Sequence, residues 1–209
     1  MLLLFDLDGT LIDSEDSIVK ACYSSLIHYS DKIPEKETIT ESVGLPIRNL
    51  LEQYCEKADL ENVVQLFREN LIRETPISTK VYEDVCTVLE QLRSMGHILK
   101  VVTNKKEYLA VQVLKTMKLS DYFVEVIGID KGEPKPSSEM LKYAARDWSR
   151  GSIPIMFGDR REDLLAAERA KFRSVLINRE SKIVSVDDIS GLIATLGSFY
   201  PIVNLETIQ

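Results

Sequence analysis

Two aspartates stand two positions apart at the end of the first apolar run of this chain. The run covers Leu2–Phe5, and Asp6, Asp8 and Gly9 follow it. Because the run is apolar throughout, it predicts a buried parallel strand, and open α/β sheets bind ligands at the carboxyl ends of such strands. The two carboxylates converge only if the chain turns, which Gly9 permits. Close carboxylates repel each other, so the arrangement indicates a bound cation or a proton on one acid.

Taken alone, the same residues also fit a strand end followed by an Asp-Gly turn, in which the acids cap nearby backbone groups. Three further polar groups favour the chemical interpretation, because each follows an apolar run that predicts another strand. They are Thr103-Asn104 after the run 98–102, Lys135 after the run 124–127, and Asp159 with Asp163 after the run 153–157.

Helical patterns alternate with these predicted strands and with a fifth at 174–177. Val85, Val88, Leu89 and Leu92 are spaced for one helical face, and Gly96 then marks a helix end. The same spacing recurs over 109–117 and 164–170. The alternation predicts a doubly wound, mainly parallel α/β sheet core of Rossmann-like type, with helices on both faces.

Residues 14–78 differ from the rest because they contain helical spacing and no convincing strand. Three helices are predicted, over 18–29, 50–55 and 60–72. They could simply cover the sheet, but three in a row favour a separate α-helical cap domain. We therefore expect a core of residues 1–13 and 79–209, with a cap of residues 14–78 inserted. Its hinges are expected near residues 13–14 and 75–79.

Composition limits the class of protein. The chain has 209 residues, 44% of them hydrophobic, and a net charge of −7, which argues against a general nucleic-acid binder. Its three cysteines show neither disulfide nor zinc spacing, so a reducing cytoplasm is the expected location. No signal peptide or membrane span is recognisable. We expect a monomer or homodimer that acts without nucleic acid or membrane.

The four motifs, in this order, resemble those of the haloacid dehalogenase superfamily, in its phosphoglycolate phosphatase-like branch with a helical cap. The resemblance covers nearly the whole chain, and is weakest in the cap and after about residue 180. It implies a Mg²⁺-dependent phosphatase that hydrolyses a small phosphorylated metabolite, phosphoglycolate-like or a sugar phosphate, through an aspartyl-phosphate. Haloacid dehalogenases and phosphonatases lack an acid at the position of Asp8, so Asp8 favours phosphate-ester chemistry.

The resemblance also implies roles for individual residues. Asp6 is expected to be the nucleophile that attacks phosphorus. Asp8 would protonate the leaving oxygen and then activate water. Thr103 and the Asn104 backbone would bind the transferring phosphoryl group, and Lys135 would supply a fixed positive charge.

The metal implied by the resemblance is Mg²⁺, a hard cation that prefers oxygen ligands. Its expected ligands are Asp6, the backbone carbonyl of Asp8, and Asp159. Asp163 lies one helical turn after Asp159 and would either ligate the metal or hold a metal-bound water. Without the other motifs, Asp159 and Asp163 would be ordinary acids at a helix N-terminus.

Segment 43–48 resembles the substrate-specificity loop of related caps. There Arg48 could bind a second anionic group of the substrate, or it could be an exposed arginine at a helix start. Lys105 and Lys106 also follow a strand and compete with Lys135 for the cationic role. Departures from the family pattern are Ser138 for a proline, Lys171 for a glycine, and Arg160, which could reach substrate or pair with Asp163 or Glu162.

Two other functions fit parts of this pattern. A sugar phosphomutase of the same fold would return the phosphoryl group to the substrate instead of releasing it. A non-enzymatic phospho-accepting or binding module, such as a receiver domain, also uses an aspartate and a lysine on a parallel sheet. Receivers lack a cap insert, however, and their acidic pair and phosphoacceptor lie on different strands.

Overall fold

The structure, a computed structural model, describes residues 1–149, 151–179 and 202–203. The strands are β1 (Leu2–Phe5), β2 (Ile12–Asp13), β3 (Lys80–Val81), β4 (Ile98–Val102), β5 (Glu125–Ile127), β6 (Ile155–Gly158), β7 (Arg173–Ile177) and β8 (Ile202–Val203). The main sheet follows the order β5-β4-β1-β6-β7-β8, in which β8 alone is antiparallel to its neighbour. A separate antiparallel ribbon pairs β2 with β3.

Helices α1 to α4 precede β3, and α5 to α8 alternate with the strands of the main sheet. Their bounds are α1 (Glu15–Leu26), α2 (Lys36–Glu41), α3 (Ile47–Leu51), α4 (Leu60–Ser78), α5 (Val85–Ser94), α6 (Glu107–Thr116), α7 (Glu139–Ala144) and α8 (Arg161–Ala170). A 3₁₀ turn covers Ser120–Tyr122. This order confirms the predicted α/β class with a mainly parallel sheet.

Both faces of the central strand β1 are buried, as its apolar run predicts. Leu3 and Phe5 belong to a cluster on one face of the sheet, and Phe5 stacks on Phe157 with 4.8 Å between ring centroids. Leu2 and Leu4 belong to a second cluster on the opposite face. The alternation follows from the two-residue period of a strand, and it fixes the register that carries Asp6 out of the sheet at its carboxyl edge.

Helices α1 to α4 have a hydrophobic cluster of their own. Most of its buried side chains lie on α1 and α4, among them Ile18, Cys22, Phe67 and Leu71. The cluster also includes Leu109 of α6, a helix that packs beside the main sheet. A hydrophobic cluster of its own is a feature of a separately packed unit. Helices α1 to α4 are called the insert below.

Helix α4 ends within the segment 75–79, where the second hinge is expected. Helix α4 continues through Pro76 to Ser78, and the backbone becomes extended only at Thr79. The hydroxyl of Thr79 then donates to Ser17 Oγ at 2.8 Å. The sequence did not predict the ribbon of β2 and β3. Its pair Asp13 and Lys80 joins the chain just before α1 to the chain just after α4.

Two departures from the family pattern are accommodated locally. Lys171 ends α8 in the left-handed conformation, with φ of 61°, where a glycine would avoid Cβ strain. Ser137 Oγ accepts the backbone N–H of Glu139 at 3.3 Å, at the start of α7. Ser138 occupies the N-cap position without a side-chain cap.

Most of the C-terminal part of the predicted core, residues 180–201 and 204–209, lies outside the described residues. Within 1–149 and 151–179, no helix is both long enough and apolar enough to cross a membrane.

Candidate functional site

The carboxyl ends of the three central strands meet at one edge of the sheet. Backbone pairing continues past the strands there, because Asp6 N–H donates to the Phe157 carbonyl at 2.8 Å and Thr103 N–H donates to the Ile127 carbonyl at 3.0 Å. These bonds hold the first residue after each strand in register with its neighbour. Asp6 and Thr103, predicted from separate motifs, are thereby carried to the same edge.

Lys135 is buried at this edge between two carboxylates. Its ammonium donates to Asp6 Oδ1 at 2.7 Å, to Asp163 Oδ1 at 2.5 Å and to the Val102 carbonyl at 2.9 Å. Burial alone would lower the pKa of Lys135, but the charges of Asp163 and Asp6 outweigh it and hold that pKa above its ordinary value. The three ammonium protons all have acceptors, so Lys135 is a fixed cation rather than a mobile one.

Asp6, Asp159 and Asp163 bring carboxylate oxygens within 4.8 Å of one another. Burial raises the pKa of Asp6 well above its usual range, against the opposing charge of Lys135 and with the support of the other two acids. Burial and the neighbouring Asp163 raise the pKa of Asp159 to about 6. Three acids beside one lysine leave excess negative charge, and a hard divalent cation with oxygen ligands would relieve it.

Two glycines allow these acids to come so close. A Cβ on Gly158 would lie 2.2 Å from Asp163 Cγ, and one on Gly9 would lie 2.3 Å from Asp159 Oδ2. Gly9 also has φ of 79°, in the left-handed region that side chains disfavour. The turn that the sequence required after Asp8 is therefore also a contact surface for Asp159.

Asp163 has a partner for each oxygen. Oδ1 accepts from Lys135, and Oδ2 accepts the backbone N–H of Arg160 at 3.1 Å, at the start of α8. Asp159 is held differently, because its Oδ1 accepts the hydroxyl of Thr10 at 2.8 Å. With both oxygens engaged, Asp163 is better suited to orient Lys135, or a metal-bound water, than to ligate a metal directly.

The carboxylate of Asp8 lies apart from the acidic trio and has two partners. Ser14 Oγ donates to its Oδ1 at 2.6 Å, and Lys105 Nζ donates to its Oδ2 at 2.7 Å. The side chain of Lys105 is only 10% exposed. Of the three lysines considered for the cationic role, Lys135 binds Asp6 and Lys105 binds Asp8. Lys106 pairs outside this group, with Asp130.

Thr103 and Asn104 organise the loop after β4. Thr103 Oγ1 accepts the backbone N–H of Lys105 at 3.2 Å. Asn104 Oδ1 accepts the Lys135 N–H at 2.8 Å, and its Nδ2 donates to the carbonyls of Lys135 and Gly44, at 3.2 and 3.0 Å. The Asn104 side chain therefore ties the Lys135 loop to the insert, a role beyond the predicted backbone contact.

Arg160 makes a second connection to the insert. Its Nη2 donates to the Glu41 carbonyl at 2.8 Å, and its Nη1 donates to the Val43 carbonyl. Its Nε lies 3.6 Å from Glu162, one of the partners that the sequence suggested. The approach is tight, because a Cβ on Gly44 would lie 2.8 Å from Arg160 Cδ. Sequence reasoning missed this contact, for which a lone arginine gives no signal.

A cavity of about 460 Å³ lies between the insert and the loop after β4. Asp8 and Thr103 line it, so it opens onto two of the four predicted catalytic residues. Arg48 lines it as well, with Nη2 at 2.5 Å from Glu61 Oε1 and a side chain that is 48% exposed. The structure thus brings Arg48 to the same cavity as Asp8, and Arg48 is paired there with Glu61.

Comparison with known sequences identifies a family. Residues 3–177 match the family model described as haloacid dehalogenase-like hydrolase. The chain is 34% identical to the phosphoglycolate phosphatase of Aquifex aeolicus over 176 residues, which cover 83% of each chain. It is 30% identical to the pyrophosphatase PpaX of Anoxybacillus flavithermus over 170 residues, which cover 80% of this chain and 79% of that protein.

Solved structures share the fold. A predicted phosphatase from Clostridium acetobutylicum superposes with a TM-score of 0.72 at 23% identity, over 98% of this chain and 94% of the other. A haloacid dehalogenase-like family hydrolase from Streptococcus pneumoniae also gives 0.72, at 21% identity, over 96% and 90% of the two chains.

Proposed function

This chain belongs to the haloacid dehalogenase-like hydrolase family and is a phosphatase of that family, and we propose that it uses Mg²⁺ to hydrolyse a small phosphorylated metabolite through an aspartyl-phosphate on Asp6. Relatives are named phosphoglycolate phosphatase and pyrophosphatase, which supports a small phosphorylated substrate. The cytoplasm is the proposed location, and Cys22, Cys55 and Cys86 are free thiols in the structure, as a reducing compartment would keep them.

The observation that carries the proposal is the contact of Asp6 with Lys135, beside two further acids. Lys135 binds Asp6 Oδ1, and Oδ2 has no hydrogen-bond partner among the described residues. One oxygen is therefore fixed while the other is available to attack phosphorus. The fixed ammonium also offsets part of the repulsion between a carboxylate and an incoming phosphate.

The reaction has two displacements at phosphorus. In the first, Asp6 forms a bond to phosphorus while the ester bond breaks, and the leaving oxygen takes a proton from Asp8. In the second, water attacks the aspartyl-phosphate, Asp8 takes the proton of that water, and inorganic phosphate leaves with Asp6 regenerated. The Thr103 hydroxyl would donate a hydrogen bond to the phosphoryl oxygens in both steps.

The donor set fits Mg²⁺, because it offers carboxylate oxygens with excess negative charge. Asp6, Asp159 and the backbone carbonyl of Asp8 would hold the ion, and Asp163 would orient Lys135 beside it. When bound, Mg²⁺ supplies positive charge between the attacking carboxylate and the phosphate.

Lys105 gives Asp8 a partner until substrate arrives. Because Lys105 and Asp8 line the same cavity, the negative charge of an incoming phosphate ester competes with Asp8 for the ammonium of Lys105. Transfer of Lys105 to the substrate would leave Asp8 Oδ2 free to take up a proton from the solvent and to deliver that proton to the leaving oxygen. Ser14 would keep the carboxyl group oriented during that exchange.

A test of the proposal is phosphate release from a panel of phosphorylated metabolites with Mg²⁺, EDTA or Ca²⁺ present. We expect release with Mg²⁺ alone, because Ca²⁺ takes longer bonds and more ligands and would misalign the attack. Full activity in EDTA would contradict the proposed dependence on Mg²⁺. An isomeric phosphate ester as the product, without free phosphate, would indicate a phosphomutase instead.

A further inference from the structure

One face of α4 lines the cavity beside Asp8 with two kinds of side chain. Glu61, Val64, Arg68 and Leu71 are spaced three or four residues apart, so they share that face. Leu71 and Arg68 are one turn apart, and Glu61 lies about two turns beyond Arg68. Along this face apolar and charged side chains alternate, so Arg68 is the first charged side chain one turn away from Leu71.

Leu71 belongs to one apolar cluster with Ile18 and Leu109, which lie close along the chain to the two partners of Asp8. Ile18 follows Ser14, the partner of Asp8, by one turn of α1, and Leu109 follows Lys105, its other partner, by four residues. Both side chains line the cavity and are almost fully buried, like Leu71. A leaving group departing from the phosphate beside Asp8 would therefore meet apolar surface first.

One cation of the cavity wall, Arg68, has no hydrogen-bonded acid. The hydrogen bond from Arg48 and, to a smaller extent, the charge of Arg68 lower the pKa of Glu61. Arg48, Lys105 and Lys106 all line the cavity, and each is paired with an acid, at 2.5, 2.7 and 2.8 Å. Arg68 also lines it and is half-buried, yet it makes no hydrogen bond or ion pair within the part of the chain that the structure describes. An arginine in that position is a binding group for a carboxylate or phosphate.

We propose that this cavity selects a phosphate ester whose leaving group has a short apolar segment next to the ester oxygen and an anionic group, carboxylate or second phosphate, at its far end, bound by Arg68. The inference rests on the proposed phosphatase function and specifies its substrate class. A volume of about 460 Å³ is within the roughly 300–1,000 Å³ of sites for larger ligands. Glycolate, with two carbons, would fill little of it, so phosphoglycolate is expected to be a poor substrate here.

The test compares esters that differ in one feature each. With Mg²⁺ present, kcat/KM is measured for pentyl phosphate, for the phosphate ester of 5-hydroxypentanoate, and for phosphoglycolate. The carboxylate ester should exceed both others by about 10- to 100-fold, the value of one charge-assisted hydrogen bond. Pentanediol bisphosphate, corrected for its two equivalent ends, shows whether phosphate serves better than carboxylate as the distal group.

The variant R68Q identifies the residue that holds the distal anion. It should reduce the preference for the carboxylate ester over pentyl phosphate to nearly one, while R73Q, an exposed position on the same helix, should keep it. Thermal unfolding of both variants checks that α4 remains folded. A wild-type preference near one, or one that R68Q leaves intact, would overturn the inference.

The two levels of the proposal fail differently. If p-nitrophenyl phosphate and pentyl phosphate are hydrolysed but the distal carboxylate adds nothing, the phosphatase function stands and the inference about Arg68 is refuted. If no ester is hydrolysed with Mg²⁺, the proposed function fails, and the substrate class fails with it.

Discussion

Replacing Arg160 with alanine should weaken closure of the insert over the site. The guanidinium donates to the carbonyls of Glu41 and Val43 from a side chain that is 27% exposed. A hydrogen bond from a charged group contributes about 1.5–3 kcal/mol to the stability of a contact. Because Arg160 is partly exposed, its two hydrogen bonds together are expected to contribute about 2–3 kcal/mol. Since each 1.4 kcal/mol is a factor of ten, kcat/KM should fall by about 30- to 100-fold.

The assay for Arg160 is steady-state kinetics with p-nitrophenyl phosphate, with Arg161→Ala as the matched control. Arg161 is the next residue and is exposed, so its removal should leave kcat/KM nearly unchanged. Arg160→Lys keeps the charge but loses the planar fork, and an intermediate loss is expected. Because Arg160 follows Asp159, the Mg²⁺ concentration for half-maximal activity is measured as well, and it should not move.

Limited proteolysis provides a readout that is independent of turnover. If Arg160 holds the 41–44 segment on the core, cleavage within residues 14–78 should become faster in Arg160→Ala and not in Arg161→Ala. The reasoning would be refuted by an Arg160→Ala enzyme whose kcat/KM stays within about threefold of wild type, since the loss derived from its hydrogen bonds is larger.

Two further perturbations test the packing and the charges around the sheet. Gly158→Ala should lower kcat by about 100-fold with the fold intact, because the new Cβ would lie 2.2 Å from Asp163 Cγ and displace the group that holds Lys135; kinetics and circular dichroism check this. Glu125→Gln should cost about 1–2 kcal/mol of unfolding free energy at pH 7. Burial would raise the pKa of Glu125, but hydrogen bonds from Arg146 and Lys100 hold it below its usual value. A lowered folded-state pKa stabilises the folded protein above the unfolded value of about 4.3, and this contribution is lost as the pH falls through the folded-state pKa. The difference between the urea titrations of the two proteins should therefore shrink as the pH falls below about 4.3. A difference at pH 3 equal to that at pH 7 would contradict this assignment.

The sequence predicted the sheet and the strand ends because each rests on a local pattern. The run Leu2–Phe5 is apolar on both faces, and the structure buries both. Parallel topology then requires that polar residues after successive strands meet at one edge, so Asp6, Thr103 and Lys135 could be named together. These features need only the order of the residues and the period of a strand.

Contacts between distant parts of the chain left no such pattern. Lys105 and Asp8 are 97 positions apart, and Arg160 and Val43 are 117 apart. Lys105 and Lys106 are neighbours of the same residue type, so the sequence does not distinguish them. In the structure Lys105 is buried and pairs with Asp8, whereas Lys106 is more exposed and pairs with Asp130. The ribbon of β2 and β3 could not be predicted from the sequence either, because two residues per strand are too few to show a hydrophobic period.

The central claim is that Asp6 carries the phosphoryl group between substrate and water. Its most direct test uses Asp8→Asn with p-nitrophenyl phosphate, whose good leaving group needs no acid, so that the first displacement proceeds while hydrolysis of the intermediate is slowed. The reaction is quenched and peptide mass spectrometry locates the phosphate. A phosphoryl group is expected on Asp6, and none is expected on the double variant that also carries Asp6→Asn. Phosphate on another residue, or continued turnover of the Asp6→Asn enzyme, would contradict it.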